Sequence, residues 1–471
     1  MMTACTIVWL RQDLRLVDNP ALHAAAVRGK VLPVYILDDD SPGPWRMGGA
    51  QRWWLHHSLQ SLAKALAKKG MPLWLKKGDP RIIFPALCQS VGADAVYWNR
   101  RYTPWGIAVD KALKESLKEA VEVRSFNGSL LFEPWEVKTG EGNWFKVFTP
   151  YWKKCLAQVE IGDSLPVPGG LKSPEKIPEG DRLEDWHLLP TKPDWAGGFR
   201  ETWQPGEAGA GKQLERFLVS RLSYYADKRD VPVADATSGL SPFLHVGEVS
   251  PRQIWCAVHM AAAQEGHLEK PVQKFLSELG WREFSYHLLY HFPELPELSF
   301  RREFNAFPWE QNDRYLLAWQ KGQTGIPIVD AGMRELWHTG VMHNRARMLA
   351  ASFLTKNLLI HWREGADWFW DTLVDADLAN NSASWQWVAG SGVDAAPYFR
   401  IFNPVLQSRK FDPEGEYIRR WVPELAALDK DTIHAPWEKK IRPKGYPEPL
   451  VDLYATRDRA LQAYQQIKKR G

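Results

Sequence analysis

Cysteine is scarce: four in 471 residues, Cys5, Cys88, Cys155 and Cys256. They lie far apart, so neither a metal-ligand spacing nor a disulfide framework is suggested, and no metal is expected. They read as free, buried thiols of a reducing compartment. No apolar run approaches the ~20 residues that a membrane helix needs. The short opening run is followed at once by Arg11, Asp13 and Arg15, which fits a strand and not a signal peptide. The expected location is the cytoplasm, with no membrane partner. Neither sign of charge dominates: 60 basic against 56 acidic residues leave a formal +4. Such a balance permits a basic groove for nucleic acid without arguing for one. There is no internal repeat, no low-complexity tract, and no Gly-x-Gly-x-x-Gly after the first strand pattern to mark a dinucleotide site.

Tryptophan, by contrast, is abundant: 25 residues against 14 tyrosines. Most are explained as bulky core fillers, but indole also stacks, donates a hydrogen bond and can be oxidised.

The first third alternates short apolar runs (Thr6–Leu10, Val31–Leu37, Pro72–Leu75, Ala95–Trp98, Val121–Ser125) with amphipathic segments such as Gln51–Lys69, Arg81–Val91 and Ile107–Ala120. That rhythm predicts an α/β doubly wound parallel sheet. From about Ile161 to Gly211 seven prolines interrupt every pattern, as an interdomain linker does. After Gly211 the strand signals vanish. Gln213–Arg229, Pro251–Gln264, Pro271–His291, Arg314–Lys321 and Gly340–Lys356 read as helices of an all-α domain. The expected division is residues 1–135, a linker over 136–211, and a helical catalytic domain over 212–471.

Three blocks could carry chemistry. Thr237-Ser238-Gly239-Leu240-Ser241-Pro242 sets hydroxyls and a glycine before a helical pattern. This suits a phosphate held by backbone N–H groups, and equally an ordinary N-cap. In Val341–Met348 a helix would place Asn344, Arg347 and Met348 on one face, too polar for core. His343 falls off that face and is given no role. In Asp375–Trp387 a helix would align Asp377, Asn381 and Trp385, with Trp385 and Trp387 about 200° apart. A capped helix start with two packed indoles accounts for the same residues. Asp375 and Arg347 could form a buried ion pair, a costly element for mere scaffolding.

Together these blocks resemble the photolyase/cryptochrome family of light-driven flavoproteins, closest to its class I cyclobutane pyrimidine dimer members. The resemblance rests on Trp281-Arg282-Glu283-Phe284, on Gly325 to Asp330 (GIPIVD) and on Met342 to Met348 (MHNRARM). It rests also on Trp385 to Pro404 (WQWVAGSGVDAAPYFRIFNP) and the opening Trp9 to Arg15 (WLRQDLR). The resemblance implies FAD in the helical domain. Tyr225 and Thr237, Ser238, Gly239, Leu240 and Ser241 would bind its diphosphate region. Arg347, Asp375, Ala376, Asp377 and Asn381 would surround its ring system. The neutral amide of Asn381 suits the reduced anionic flavin of repair enzymes, whereas plant cryptochromes carry Asp there.

By the same resemblance a damaged dinucleotide is extruded from UV-damaged DNA against Trp281 and Trp387. Asn344 and Met348 touch the lesion, and Glu278 bonds a pyrimidine edge. A carboxyl walled by apolar groups holds its proton more readily, which would let it serve the radical anion. Excited reduced flavin lends an electron, the cyclobutane ring splits, and the electron returns. Trp385, Trp362 and Trp309 match an electron-hopping chain to the surface. Arg229, Arg282, Arg345 and Gln407 would contact DNA. The folate-binding members have Asn-Glu where this chain has Trp105-Gly106. That puts a folate antenna in doubt and leaves a second chromophore of unspecified kind. The rival readings are a cryptochrome photoreceptor, disfavoured by Asn381 and by the lack of a long tail after Ile467–Gly471, a (6-4) photolyase, which uses histidines where Asn344 and Met348 stand, and a flavin-free nucleic-acid-binding module. A monomer is expected, since DNA must reach the cavity.

Overall fold

The computed structural model of the protein describes residues 4–158, 160–394 and 399–468. Part of the Trp385–Pro404 run (395–398) and the chain's last three residues lie outside these. Five strands, β1 (Cys5–Leu10), β2 (Lys30–Leu37), β3 (Trp74–Lys77), β4 (Ala95–Asn99) and β5 (Glu122–Phe126), alternate with α1 (Pro20–Arg28), α2 (Gly49–Ala67), α3 (Pro80–Val91) and α4 (Pro104–Leu117). The sheet is parallel throughout, in the order β3-β2-β1-β4-β5. Its strands read as near-continuous apolar runs because helices cover both faces. The order reverses beside β1, and the crevice there opens at the carboxyl ends of β1 and β4. Every expected strand is present; β3 starts two residues later than its apolar pattern, after Pro72 and Leu73.

The remaining helices are α5 (Phe148–Gln158), α6 (Gly197–Thr202), α7 (Glu207–Ser220), α8 (Leu222–Lys228), α9 (Ser241–Val246), α10 (Pro251–Gln264) and α11 (Glu269–His291). They continue as α12 (Asp313–Gln320), α13 (Pro327–Thr339), α14 (Asn344–Ser352), α15 (Trp362–Thr372), α16 (Leu378–Ala389), α17 (Pro404–Phe411), α18 (Glu416–Trp421) and α19 (Leu453–Lys468). Two expected helices are broken. The pattern over Gln213–Arg229 is cut at Arg221, whose backbone (φ −133°) leaves the helix. Its guanidinium instead reaches Thr237 O at 3.0 Å and pairs with Asp235. The pattern over Gly340–Lys356 loses its start because Gly340 is the left-handed cap of α13, and its end becomes a π-turn at Phe353–Asn357.

Much of the opening motif is a bolt between the two halves. Arg15 is fully buried and donates to Asp18 O, Gly247 O (2.9 Å) and Gly128 O (2.6 Å). Glu283 is a second bolt: it accepts from Leu131 N (2.8 Å), Phe132 N (3.3 Å) and the Arg282 guanidinium (2.9 Å). Burial pushes its carboxyl up to about 7 despite these donors. The stretch between the halves holds α5 and α6 and is laid over both. Asp181 bonds Lys76 and the Lys77 amide, while Gly206 N donates to Glu248.

Among the described residues no helix is long and apolar enough to cross a membrane. None of their His, Cys, Asp and Glu clusters is placed to hold a metal. Three thiols are buried, but Cys256 is half-exposed, unlike the expectation for all four.

Candidate cofactor and substrate site

The site forms where α14, the loop before α16, and α16 itself converge. His343 caps α14 by accepting from Arg345 N at 3.2 Å. Asp377 caps α16, accepting from Asn380 N at 2.8 Å through Oδ1 while Tyr286 OH donates to its Oδ2. With both starts fixed, the predicted faces come together. Asn344, Arg347 and Met348 from one helix and Asn381 and Trp385 from the other line a cavity of about 340 Å³, joined by Asp375, Ala376 and Asp377. Thr237, Ser238, Gly239 and Ser241 form its far lip.

The expected ion pair is real. Arg347 Nη2 lies 2.9 and 3.1 Å from the two oxygens of Asp375, and Ser241 Oγ donates to the same carboxylate at 2.6 Å. The Asp375 side chain is only 4% exposed against 27% for Arg347, so the carboxylate is the more deeply set of the two groups, and both line the cavity. Asn381 donates from Nδ2 to Ala366 O at 3.0 Å, which fixes the amide's orientation. Gly239 sits at φ +65°, where an added Cβ would lie 2.4 Å from Gln213 Nε2. Gln213 in turn donates to Ser238 O at 2.6 Å. Glycine is therefore required at that turn. The donor set suits a flavin dinucleotide: hydroxyls and turn amides for phosphate, and a guanidinium and an oriented amide for a polar ring.

Other nominated residues lie elsewhere. Leu240 is core, and Tyr225 is buried between Phe217 and Phe275; neither lines the cavity. Trp281 stacks on Phe148 at 3.8 Å and 11°. Trp387 donates from Nε1 to Asp394 O (3.1 Å), and Phe148 N donates to Asp394 Oδ2 (3.1 Å). The two indoles are thus joined through Phe148, which no sequence pattern singled out, and Asp394, which lies in the quoted Trp385–Pro404 run but was given no role. Glu278 does not sit in apolar surroundings as expected: Arg229 pairs with it directly and Lys274 Nζ lies 3.5 Å away. Nor is Arg282 turned outward. It pairs with Glu283 and stacks over Tyr286 at 5.0 Å. Arg345 pairs with Asp230 at 2.6 Å, and Gln407 is half-buried on α17.

Of the three hopping candidates, Trp385 and Trp362 are buried (2% and 1% exposed) and Trp309 is half-buried. The His361 ring stands between the last two, 5.6 Å from Trp362 and 5.0 Å from Trp309. Trp385 touches Phe369 at 5.0 Å and Trp319 at 6.2 Å. Gly365 makes that packing possible, since a Cβ there would fall 2.1 Å from Trp385 Cη2.

His343 also deserves a role that its position in the pattern hid. With Nδ1 accepting from Arg345 N, its other nitrogen carries the hydrogen and donates to Arg229 O at 3.0 Å. Burial pushes His343 down to about 4, as it does His245 (about 4) and His287 (about 3). These folded values lie below the unfolded one near 6.5, so between about pH 6.5 and 4 the unfolded chain binds more protons. Stability is therefore present above pH 6.5 and lost on acidification through that window. Glu283 and Glu248, pushed up by burial to about 7 and about 8, gain stability over the same window. The expected result is therefore a difference: the Tm of His343→Gln should fall less, or rise more, from pH 7 to pH 5 than that of the wild type. An identical pH dependence would contradict neutral burial of this ring.

Other cavities lie apart from the site's lining residues. One of about 120 Å³ in the crevice between the halves is lined by Trp9, Arg11, Tyr35, Trp105, His245 and Trp370. Gly106 beside it has no room for a side chain: a Cβ would lie 2.8 Å from both Arg101 Cβ and Thr103 Oγ1. A wider groove of about 660 Å³ near the C-terminus carries none of the nominated residues, and pairs such as Arg409–Glu438 and Arg442–Glu448 neutralise its charges.

Residues 6–170 match the family model described as DNA photolyase, and residues 275–466 the one described as FAD binding domain of DNA photolyase. The deoxyribodipyrimidine photo-lyase of Agrobacterium fabrum is 50% identical over 99% of both chains. Cryptochrome-2 of Arabidopsis thaliana is 38% identical over 98% of this chain and 79% of its own. A solved bacterial class III photolyase from Agrobacterium tumefaciens superposes with a TM-score of 0.96 at 49% identity, covering 100% of this chain and 98% of that one.

Proposed function

Since the chain belongs to the DNA photolyase/cryptochrome family and binds FAD, we propose that it repairs cyclobutane pyrimidine dimers in DNA under blue light. The observation that carries this reading is the convergence of Asn344, Arg347, Met348, Asp375, Asp377, Asn381 and Trp385 on one cavity. Thr237, Ser238, Gly239, Ser241, Arg347, Asp375 and Asn381 would hold FAD in this cavity, and FAD would supply the light-driven electron that ring opening needs and that is returned afterwards. The chain's own residues do the positioning. Arg347, locked by Asp375, offers fixed positive charge to the ring system's polar edge, and Asn381 offers a neutral amide that cannot donate an acidic proton. Preorganised charge of this kind costs no reorganisation when the electron moves.

In this reading Asn344 and Met348 meet the lesion from α14. Trp281 and Trp387, braced by Phe148 and Asp394, wall the extruded bases. Trp385, Trp362 and Trp309 carry electrons in from solvent when the flavin is oxidised. DNA phosphates bind by charge and without sequence preference, and a monomer suffices. The division at 1–135, 136–211 and 212–471 is retained as the working description. The solved relative at 49% identity is a class III photolyase, so class III stands beside the class I reading. The crevice at Trp105 is the place to look for a second chromophore.

A photoreceptor role is the second reading, favoured by the 38% identity to a plant cryptochrome. The test mixes purified protein, its FAD reduced, with an oligonucleotide carrying one thymine dimer, in light and in darkness. Light-dependent recovery of thymine absorbance supports repair. No recovery with FAD visibly bound shifts the reading to a photoreceptor or a (6-4) enzyme. Protein that purifies without flavin and takes up none removes both.

A further inference from the structure

Beside the cavity five charges alternate in sign: Lys274, Glu278, Arg229, Asp230 and Arg345. Glu278 takes Arg229 directly and Lys274 at 3.5 Å. Asp230 takes Arg345 at 2.6 Å and Arg229 Nε at 3.8 Å. The Arg229 side chain is 12% exposed and that of Glu278 31%, so the pair is more buried than surface. The network abuts the cavity: the His343 ring, which lines it, holds the Arg229 carbonyl. Trp281 lies three residues after Glu278 on α11, on the same helix face.

Two of the three arginines nominated for DNA, Arg229 and Arg345, are therefore paired with carboxylates of this network. A phosphate that takes Arg229 Nη1 displaces Glu278 and leaves that half-buried carboxylate with Lys274 alone at 3.5 Å, a weaker pairing that is disfavoured. Undamaged DNA, stacked and paired, brings no donor to replace the lost guanidinium. An extruded thymine does: its ring N3–H lies on the edge that a carboxylate can accept from.

We propose that the Arg229–Glu278 pair is a damage-discrimination clasp. Phosphate captures Arg229 and frees Glu278, and the exchange balances only when a flipped pyrimidine takes the carboxylate. Glu278 thereby suppresses binding to intact DNA in addition to touching the lesion. This rests on the repair reading for the identity of the base, but the clasp itself is tested on intact DNA.

The experiment is fluorescence anisotropy in the dark with the full-length FAD-loaded protein. It uses one labelled duplex, intact or bearing a single thymine dimer, across a range of salt. One added phosphate contact steepens log K against log salt by about 0.9, or about eightfold between 1 M and 0.1 M. Glu278→Gln is expected to bind intact duplex about eightfold more tightly at 0.1 M salt, with the slope steeper by about one. Its preference for the dimer should shrink by at least that factor. The double variant with Arg229→Gln should lose the gain. Glu278→Gln binding intact duplex with wild-type affinity and slope overturns the clasp, whatever happens to repair. Wild-type protein that neither prefers nor repairs the dimer sinks the repair reading instead. If Glu278→Gln fails to retain FAD, Asp230→Asn, which unpairs Arg345 in the same network, must show the same direction of change on intact duplex or the clasp fails.

Discussion

Asp375→Ala is expected to purify almost free of flavin. The carboxylate is 4% exposed and accepts two short contacts from Arg347 Nη2 and one from Ser241 Oγ. Removing it leaves the guanidinium facing the cavity without a counter-ion and the serine without its acceptor. Breaking such a pair from one side costs about 3–5 kcal/mol, or about 10²–10⁴-fold in the equilibrium that depends on it. Arg347→Ala should be milder, because Asp375 keeps Ser241. Asp375→Asn retains shape and one acceptor, and should fall between. The readouts are the ratio of flavin to protein absorbance after gel filtration and the flavin Kd by fluorescence quenching. An Asp375→Ala protein with stoichiometric flavin and an unchanged Kd would show that the pair is scaffold and that other groups hold the ring.

Much of this arrangement was legible in the sequence for an identifiable reason. The helix period alone puts Asn344, Arg347 and Met348 on one face, and a face so polar has few uses inside a core. The five strands followed from uninterrupted apolar runs, because a sheet covered on both sides demands them. What stayed hidden depends on contacts between residues far apart in the chain. Glu278 looked like a carboxyl in apolar surroundings since Trp281 adjoins it. Its true neighbour, Arg229, sits 49 positions away. Phe148 opens α5, a helix between the last strand pattern and the proline-rich stretch that no sequence pattern marked, so nothing pointed to it as the ring stacked on Trp281. Arg282 reads as a surface cation and is instead consumed by Glu283, which ties α11 to the first half. The GIPIVD run carries resemblance without chemistry. Asp330 is fully buried, accepting from Thr324 N and Oγ1 (both 2.7 Å), Gly325 N (3.0 Å) and Tyr446 OH (2.6 Å).

Trp385→Phe is expected to slow photoreduction of the bound flavin at least ~100-fold, equivalent to about 2.7 kcal/mol of barrier. Phenylalanine keeps an apolar ring against Gly365 and Phe369 but is far harder to oxidise than indole. Trp385 is the hopping candidate that lines the cavity, while Trp362 begins α15 and Trp309 approaches solvent beyond His361. Losing the first member should therefore silence any route that starts there, including one through the neighbouring Trp319. Repair by chemically reduced protein should survive, because the lesion meets α14 and α11 rather than this indole. A drop in both would mean that the substitution disturbed the cavity, which Tm and flavin content would reveal. Photoreduction at the wild-type rate would mean that electrons enter elsewhere, and the buried indoles at 385 and 362 would then be core packing alone.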